Sequence, residues 1–224
     1  MTKRMIFPLL LGLVGCAILI SLGTWQVQRL AWKEAMLAEI DARIAAPPVA
    51  IPAQPDPEAD RFLPVQATGT IGDARLRILV SQKQIGAGYR IISPFTTGGR
   101  TILIDRGILP IAADLPAPPP GEVTATGNLH WPSEVDSYTP EPDTTRDIWF
   151  ARDVPRMAEA LNAEPILLVL RNATPPTPQI VPLPVSRAGI PNDHLSYAVT
   201  WFSLAIIWFG MTAFLLWRIR QRTV

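Results

Sequence analysis

Two uncharged apolar runs, residues 6–25 and 196–217, stand at opposite ends of this 224-residue chain. Each holds about 20 residues, and at ~1.5 Å rise per residue a helix of that length covers the ~30 Å hydrocarbon core of a bilayer. Neither run has the polar face that a helix at the edge of a soluble core carries. A third run of that length does not occur. The sequence therefore predicts a two-span membrane protein with one domain of about 170 residues between the spans.

Charge sets the expected orientation. Lys3 and Arg4 precede the first run, and Arg218, Arg220 and Arg222 follow the second. Neither flank holds an acidic residue. Fifteen of the 20 basic residues and all 19 acidic ones thus lie between the runs, a net of about −4 there. Positive flanks place both termini in the cytoplasm and the middle outside it. The near-neutral total gives no support for a nucleic-acid partner.

The single cysteine, Cys16, falls inside the first run, so the outer domain is expected to hold neither a disulfide nor a cysteine metal site. Leu13-Val14-Gly15-Cys16 resembles a lipoprotein cleavage box, but the run stays apolar through Ile20, where a mature lipoprotein turns polar. The short N-terminus is not the Arg- and Ser-rich stretch of a transit peptide, and a bacterial inner (plasma) membrane fits best.

Apolar residues recur at helical spacing through Val27, Leu30, Leu37, Ile40 and Ile44, which continues the first span outward as an amphipathic helix until Pro47-Pro48 stops it. The expected boundaries are a cytoplasmic start (1–5), a first span (6–25), an outer domain (26–194), a second span (195–217) and a cytoplasmic end (218–224). Within the outer domain these are a helix (26–46), a proline-rich linker (47–60), a β-rich core (61–171) and a proline-rich return (172–194). Strand signals fall at 65–71, 76–81, 89–95, 101–105, 123–131 and 148–151. Gly98-Gly99 marks a hairpin, 153–162 a short helix, and 166–170 a buried strand. The fold class predicted is an α+β membrane protein: two transmembrane helices flanking a mainly antiparallel-β extracytoplasmic domain with one or two short helices.

Nucleophile elbows, phosphate-cradling glycine loops and zinc-helix motifs are absent. The Glu141 and Asp143 carboxylates lie in a proline-rich loop and read as solvated. Of the two histidines, His130 beside Trp131-Pro132 reads as a surface or partly buried side chain. His194 is more informative. Asn192 is a candidate N-cap for the second span, which puts His194 in its first turn at the outer membrane surface. A neutral imidazole there offers a lone pair to a metal, and histidine is a common axial ligand of haem iron. Tyr197, Trp201 and Trp208 follow His194 on one helix face, Trp201 about 10 Å deeper. Trp25 ends the first span at similar depth, with Arg29 and Lys33 one and two turns above it. Together they suggest an aromatic pocket with a basic rim, suited to a flat apolar ring bearing carboxylates. The plainer reading is equally open: Trp, Tyr and His gather at membrane interfaces whatever the function. Gly12, Gly15, Cys16 and Gly23 permit close helix contact.

At these residues the chain resembles the Surfeit locus protein 1 family, assembly factors of haem-copper cytochrome c oxidase. The resemblance runs through Gly23-Thr24-Trp25-Gln26 with Arg29, Trp32 and Lys33, then Arg61-Phe62 to Gly69-Thr70. It continues in Gly88-Tyr89-Arg90 to Pro94, Asp105-Arg106-Gly107 with Pro110, and Trp149-Phe150 with Asp153 and Met157. Asn192-Asp193-His194-Leu195 with Tyr197, Thr200 and Trp201 is its most specific piece. Ile108 stands where the family usually has Trp.

The resemblance implies a non-enzymatic role in oxidase biogenesis, in which bacterial members bind haem a and pass it towards the oxidase's catalytic subunit. The family's haem-associated histidine falls on His194 and its tryptophan on Trp201. His194 is then the expected axial ligand of the haem iron. Trp201, Trp25 and Tyr197 would pack near the macrocycle, and Arg29 or Lys33 would face the propionates. Haem a would be transient cargo, and the partners would be the catalytic subunit, haem a synthase and membrane lipid. The alternative is a scaffold that holds oxidase subunits or the haem-synthesis enzyme without gripping haem. A membrane redox enzyme ranks third, for want of catalytic groups.

Overall fold

In the computed structural model, residues 3–82, 86–143, 145–177, 179–187 and 190–221 are described. Residues 1–2 and 222–224 of the expected cytoplasmic ends, Arg222 among them, lie outside the described residues, as do 178, 188 and 189 of the proline-rich return. The chain divides into two units, residues 1–39 with 187–224, and residues 40–186.

The first unit contains two helices. α1 (Lys3–Ala45) is unbroken from the first apolar run through the amphipathic stretch, and α3 (His194–Gln221) holds the second run. Both are long and apolar enough to cross a bilayer. Their apolar surface is mostly exposed, and the covered positions form narrow stripes: Gly12, Cys16, Leu19, Gly23 and Gln26 on α1, and His194, Ala198, Trp201 and Ala205 on α3. The alternating steps of three and four keep one face of a 3.6-residue helix against a partner. Small residues make the contact close. Cβ atoms added at Gly12, Gly15 and Gly23 would collide with Thr212, Trp208 and Phe202 respectively. Trp208 Nε1 also donates to the Gly12 carbonyl at 3.2 Å. This is how helices associate in lipid, where van der Waals packing and interhelical hydrogen bonds replace the hydrophobic effect.

The second unit is built on one mixed sheet. Its strands are β1 (Pro64–Ile71), β2 (Leu76–Gln82), β3 (Gly86–Thr97), β4 (Arg100–Pro110), β5 (Val123–Leu129), β6 (Ile148–Trp149) and β7 (Glu164–Thr174), in the order β1-β5-β7-β4-β3-β2-β6. The C-terminal half of β3 also pairs with β1, through Thr70↔Thr96 and Ile71↔Phe95. That pairing closes β1-β5-β7-β4-β3 into a five-stranded ring, and β2 and β6 extend from the other half of β3. Most pairings are antiparallel, as expected. β4–β7 and β2–β6 are parallel, because an apolar pattern specifies a strand's buried face but not the direction of its partner.

Side chains inside the ring include Val65, Phe95, Ile102, Ile104, Ile166, Leu168 and Leu170. Leu103, Leu167 and Val169, at alternate positions, point outward to Val154, Met157 and Leu161 around the short helix α2 (Val154–Ala160). β7 is therefore covered on both faces, which is why residues 166–170 read as an unbroken apolar run. Truncating a residue such as Leu168 to Ala costs about 2–5 kcal/mol. α2 starts where Asp153 accepts from the Arg156 backbone amide, with Pro155 in its first turn. It ends at Asn162, in the left-handed region at φ 49°. The β3–β4 hairpin turns on Gly98 and Gly99, both at positive φ (56° and 78°), as a two-residue turn of matching twist requires.

One buried charge cluster ties the sheet to its loops. Asp105 on β4 is fully buried and pairs with Arg90 of β3 and, at 3.5 Å, with Arg152. Arg152 also pairs with Glu134, and Arg90 donates to the Leu183 carbonyl at 2.7 Å. Burial works against the Arg152 charge, but Glu134 and Asp105 outweigh it and hold the guanidinium more firmly protonated. Burial likewise opposes the Glu134 carboxylate, and Arg152 more than compensates, lowering its pKa.

Candidate functional site

α3 begins one residue later than an Asn192 cap would make it. The Asp193 carbonyl accepts the first helical bond, from the Tyr197 amide at 3.2 Å, and Asn192 Oδ1 is buried with no partner among the described residues. His194 is consequently the first residue of the helix. There its ring is half-buried and faces α1: His194 Nδ1 lies 2.8 Å from Gln26 Oε1. Gln26 is only 8% exposed.

This contact fixes what the imidazole can do. With the Gln26 carbonyl oxygen towards the ring, the neutral imidazole that suits this contact carries its proton on Nδ1 and donates it. Nε2 is left as the lone-pair nitrogen. A ligating histidine is held in the same way, its second nitrogen donating to a carbonyl or carboxylate that fixes tautomer and ring orientation. No group of three or more His, Cys, Asp or Glu side chains able to hold a bare metal ion occurs among the described residues. A single imidazole suits a metal that brings its other donors with it, as iron does in a porphyrin.

Trp201, two turns into α3, is half-buried on the same stripe as His194. Phe202, the residue after Trp201, lies against Gly23, which is one turn from Gln26 on α1. Trp208 packs near Gly15 towards the other end of the helix pair. Tyr197 is 55% exposed and off the stripe, and Trp25 is 53% exposed, next to Gln26 but about 100° around α1. These two rings are open aromatic surface near the level of His194. The Arg29 guanidinium stacks over the Trp32 ring at 4.3 Å, and Lys33 is half-buried. His194, Trp201 and Gln26 are thus brought onto the facing stripes, whereas Trp25, Tyr197 and Arg29 are directed to the exterior. Gln26 is the residue that sequence reasoning missed. Its signal was a polar side chain standing at the next step of the spacing Gly12, Cys16, Leu19, Gly23.

His130, in the second unit, is no ligand candidate by comparison. Its ring stacks on Phe62 with centroids 5.3 Å apart, and its Nδ1 is buried without a partner among the described residues. Burial, and then the charges of Arg152 and Arg61, push its pKa down to about 4. Glu141 and Asp143 are engaged locally, Glu141 with Arg156 at 2.8 Å and Asp143 with Arg146 at 3.7 Å.

A model of the SURF1 family matches residues 13–206, which takes in the facing stripes from Cys16 onward and the whole sheet. The chain belongs to the SURF1 family. Surfeit locus protein 1 of Xenopus tropicalis is 31% identical over 209 residues, covering 82% of this chain and 67% of the relative. Surfeit locus protein 1 of Homo sapiens is 31% identical over 218 residues, covering 84% and 72%. The SURF1-like protein of Rickettsia felis is 30% identical over 217 residues, covering 88% and 91%. Membership in the SURF1 family thus extends over Gln26, His194 and Trp201 together.

Proposed function

We propose that this SURF1 family protein is an assembly factor of haem-copper cytochrome c oxidase that carries haem a at the membrane and aids its insertion into the oxidase's catalytic subunit. The observation that carries the reading is the 2.8 Å contact between His194 Nδ1 and Gln26 Oε1, which leaves one imidazole nitrogen free to ligate iron. Family membership supports the choice of haem a. α1 and α3 span a bacterial inner membrane, with both ends cytoplasmic and the sheet domain periplasmic, so His194 lies at the outer surface. Haem a is strongly apolar, and a ligand at that depth lets it pass to another membrane protein without crossing water. Trp25 and Tyr197 offer the macrocycle exposed aromatic surface, and Trp201 backs the histidine from below. Arg29 and Lys33 are the cations near enough in sequence to meet propionates. A single axial bond keeps the affinity moderate, as cargo that must be released requires. The protein itself carries out no turnover.

Purification after co-expression with the enzymes of haem a synthesis tests the reading. The expected result is a Soret band that survives purification and is lost in His194→Ala, while the sheet domain stays folded. Pigment-free protein that captures oxidase subunits in stoichiometric amount would overturn it in favour of a scaffold.

A further inference from the structure

A cation with no counter-ion among the described residues lies buried in the sheet domain, far in chemistry from the histidine site. Arg106 on β4 is 3% exposed. It sits at a bulge, where Arg90 pairs with Ile108 but Ile92 with Asp105, so that β4 holds one extra residue. Gly107 makes the bulge possible at φ 114°, and a side chain there would strike the Val181 backbone. The return segment is clamped at this point by two backbone bonds between Ile108 and Val181, of 2.8 and 2.9 Å. Arg106 is thereby turned into a cavity of about 310 Å³ between β4, β7 and the returning prolines.

A guanidinium has five N–H donors. Arg106 Nε has no partner among the described residues, and Nη2 makes one long contact, 3.4 Å to Thr177 Oγ1. Ion pairing does not supply the rest. The adjacent carboxylate, Asp105, is engaged by Arg90 and Arg152 through Oδ2 and by the Gly107 amide through Oδ1. The other charge that acts on Arg106 is Arg75, a cation, and burial followed by Arg75 lowers its pKa. A buried charge is normally paired, because desolvation penalises a charge left without a partner. The wall of the cavity is mostly apolar, with Ile71, Leu170, Pro175 and Ile180, and carries two neutral polar side chains, Asn172 and Thr177. Its volume lies at the lower end of the range for small-molecule sites.

We infer that this cavity is a binding site for an apolar monocarboxylate, whose carboxylate pairs with Arg106 while its hydrocarbon body fills the space between the β7 wall and the prolines. One cation facing a mostly apolar, uncharged wall suits a single negative charge on an apolar body. A carboxylate also matches the planar fork of a guanidinium.

The test uses the full-length protein in lipid nanodiscs and three probes followed by calorimetric titration: 3-phenylpropionate, 3-phenylpropan-1-ol and acetate. Saturable binding of phenylpropionate is expected, about tenfold or more tighter than the alcohol, which lacks the charge-assisted hydrogen bonds, and than acetate, which lacks the body. The preference of acid over alcohol should vanish in Arg106→Gln and persist in part in Arg106→Lys. Should Arg106→Gln fail to fold, Ala173→Leu fills the cavity from β7, and loss of phenylpropionate binding at unchanged melting temperature is then expected. Equal binding of acid and alcohol, acetate binding as tightly as phenylpropionate, absence of saturable binding, or binding unchanged in these variants would each overturn the inference.

Discussion

Two histidines in one chain meet opposite fates, and the difference lies in what their ring nitrogens face. His194 has a carbonyl partner at 2.8 Å and a second nitrogen to spare. Removing that partner should loosen the ligand without abolishing it. Gln26→Leu is expected to lower haem a retention about 10- to 100-fold, the usual effect of losing a group that orients a ligating histidine. Gln26→Glu, which restores an acceptor, should recover most of it. Pigment per protein after purification reads both. His130 Nδ1 has no partner among the described residues, and burial pushes the pKa of its ring down to about 4. A histidine whose folded pKa is lowered binds its proton more readily when unfolded, so stability falls as pH drops below about 6.5 and the loss is complete near 4. The loss amounts to about 2 kcal/mol between pH 7 and pH 5. His130→Phe keeps the stack on Phe62 and should flatten this slope in denaturation of the purified protein. Glu134, whose pKa is lowered by Arg152 against the effect of burial, adds its own loss only below the ordinary glutamate range, so the two contributions separate along the pH axis.

At the scale of elements, the helices and strands were legible where one physical signal dominated. β7 declared itself by a run apolar on both faces, the β3–β4 hairpin by Gly98-Gly99, and α2 by Asp153 followed by Pro155. The stripe on α1 was harder to read, since in an apolar span its small residues differ little in hydropathy from their neighbours. Gln26 stands out only once the spacing from Gly12 is drawn. Close packing of α1 on α3 has a direct test. Cys16 Sγ lies 3.9 Å from the Ala205 carbonyl oxygen. Ala205→Cys should therefore form an intramolecular disulfide with Cys16 under mild oxidation, seen as protection of both thiols from a maleimide reagent. Adding Gly15→Leu pushes a side chain into Trp208. It should slow the cross-link roughly tenfold, as an overpacking cost of order 1–3 kcal/mol implies.

At the scale of the whole molecule, two relations were beyond the reach of pattern. Ring closure joins Ile71 of β1 to Phe95 of β3, and the parallel pairing joins Ile104 of β4 to Leu168 of β7. Each strand looks the same from sequence whichever neighbour it takes, because alternation specifies a face and not a partner. Charge, in contrast, acts over the whole chain and is legible at once. Five basic and no acidic residues flank the spans, and the segment between them carries about four negative charges in excess. Translocating the flanks instead of the middle would move lysines and arginines across the bilayer against the rule that orients most inner-membrane proteins. A fluorescent reporter that folds only in the cytoplasm should therefore be active when fused after residue 224. Alkaline phosphatase, active only outside, should work when inserted beside Pro118, in the irregular stretch between β4 and β5, where the chain forms no ladder and tolerates an insertion. Phosphatase activity at the C-terminus with none at residue 118 would invert the topology, move His194 to the cytoplasmic surface, and require cargo to arrive from the opposite side of the membrane.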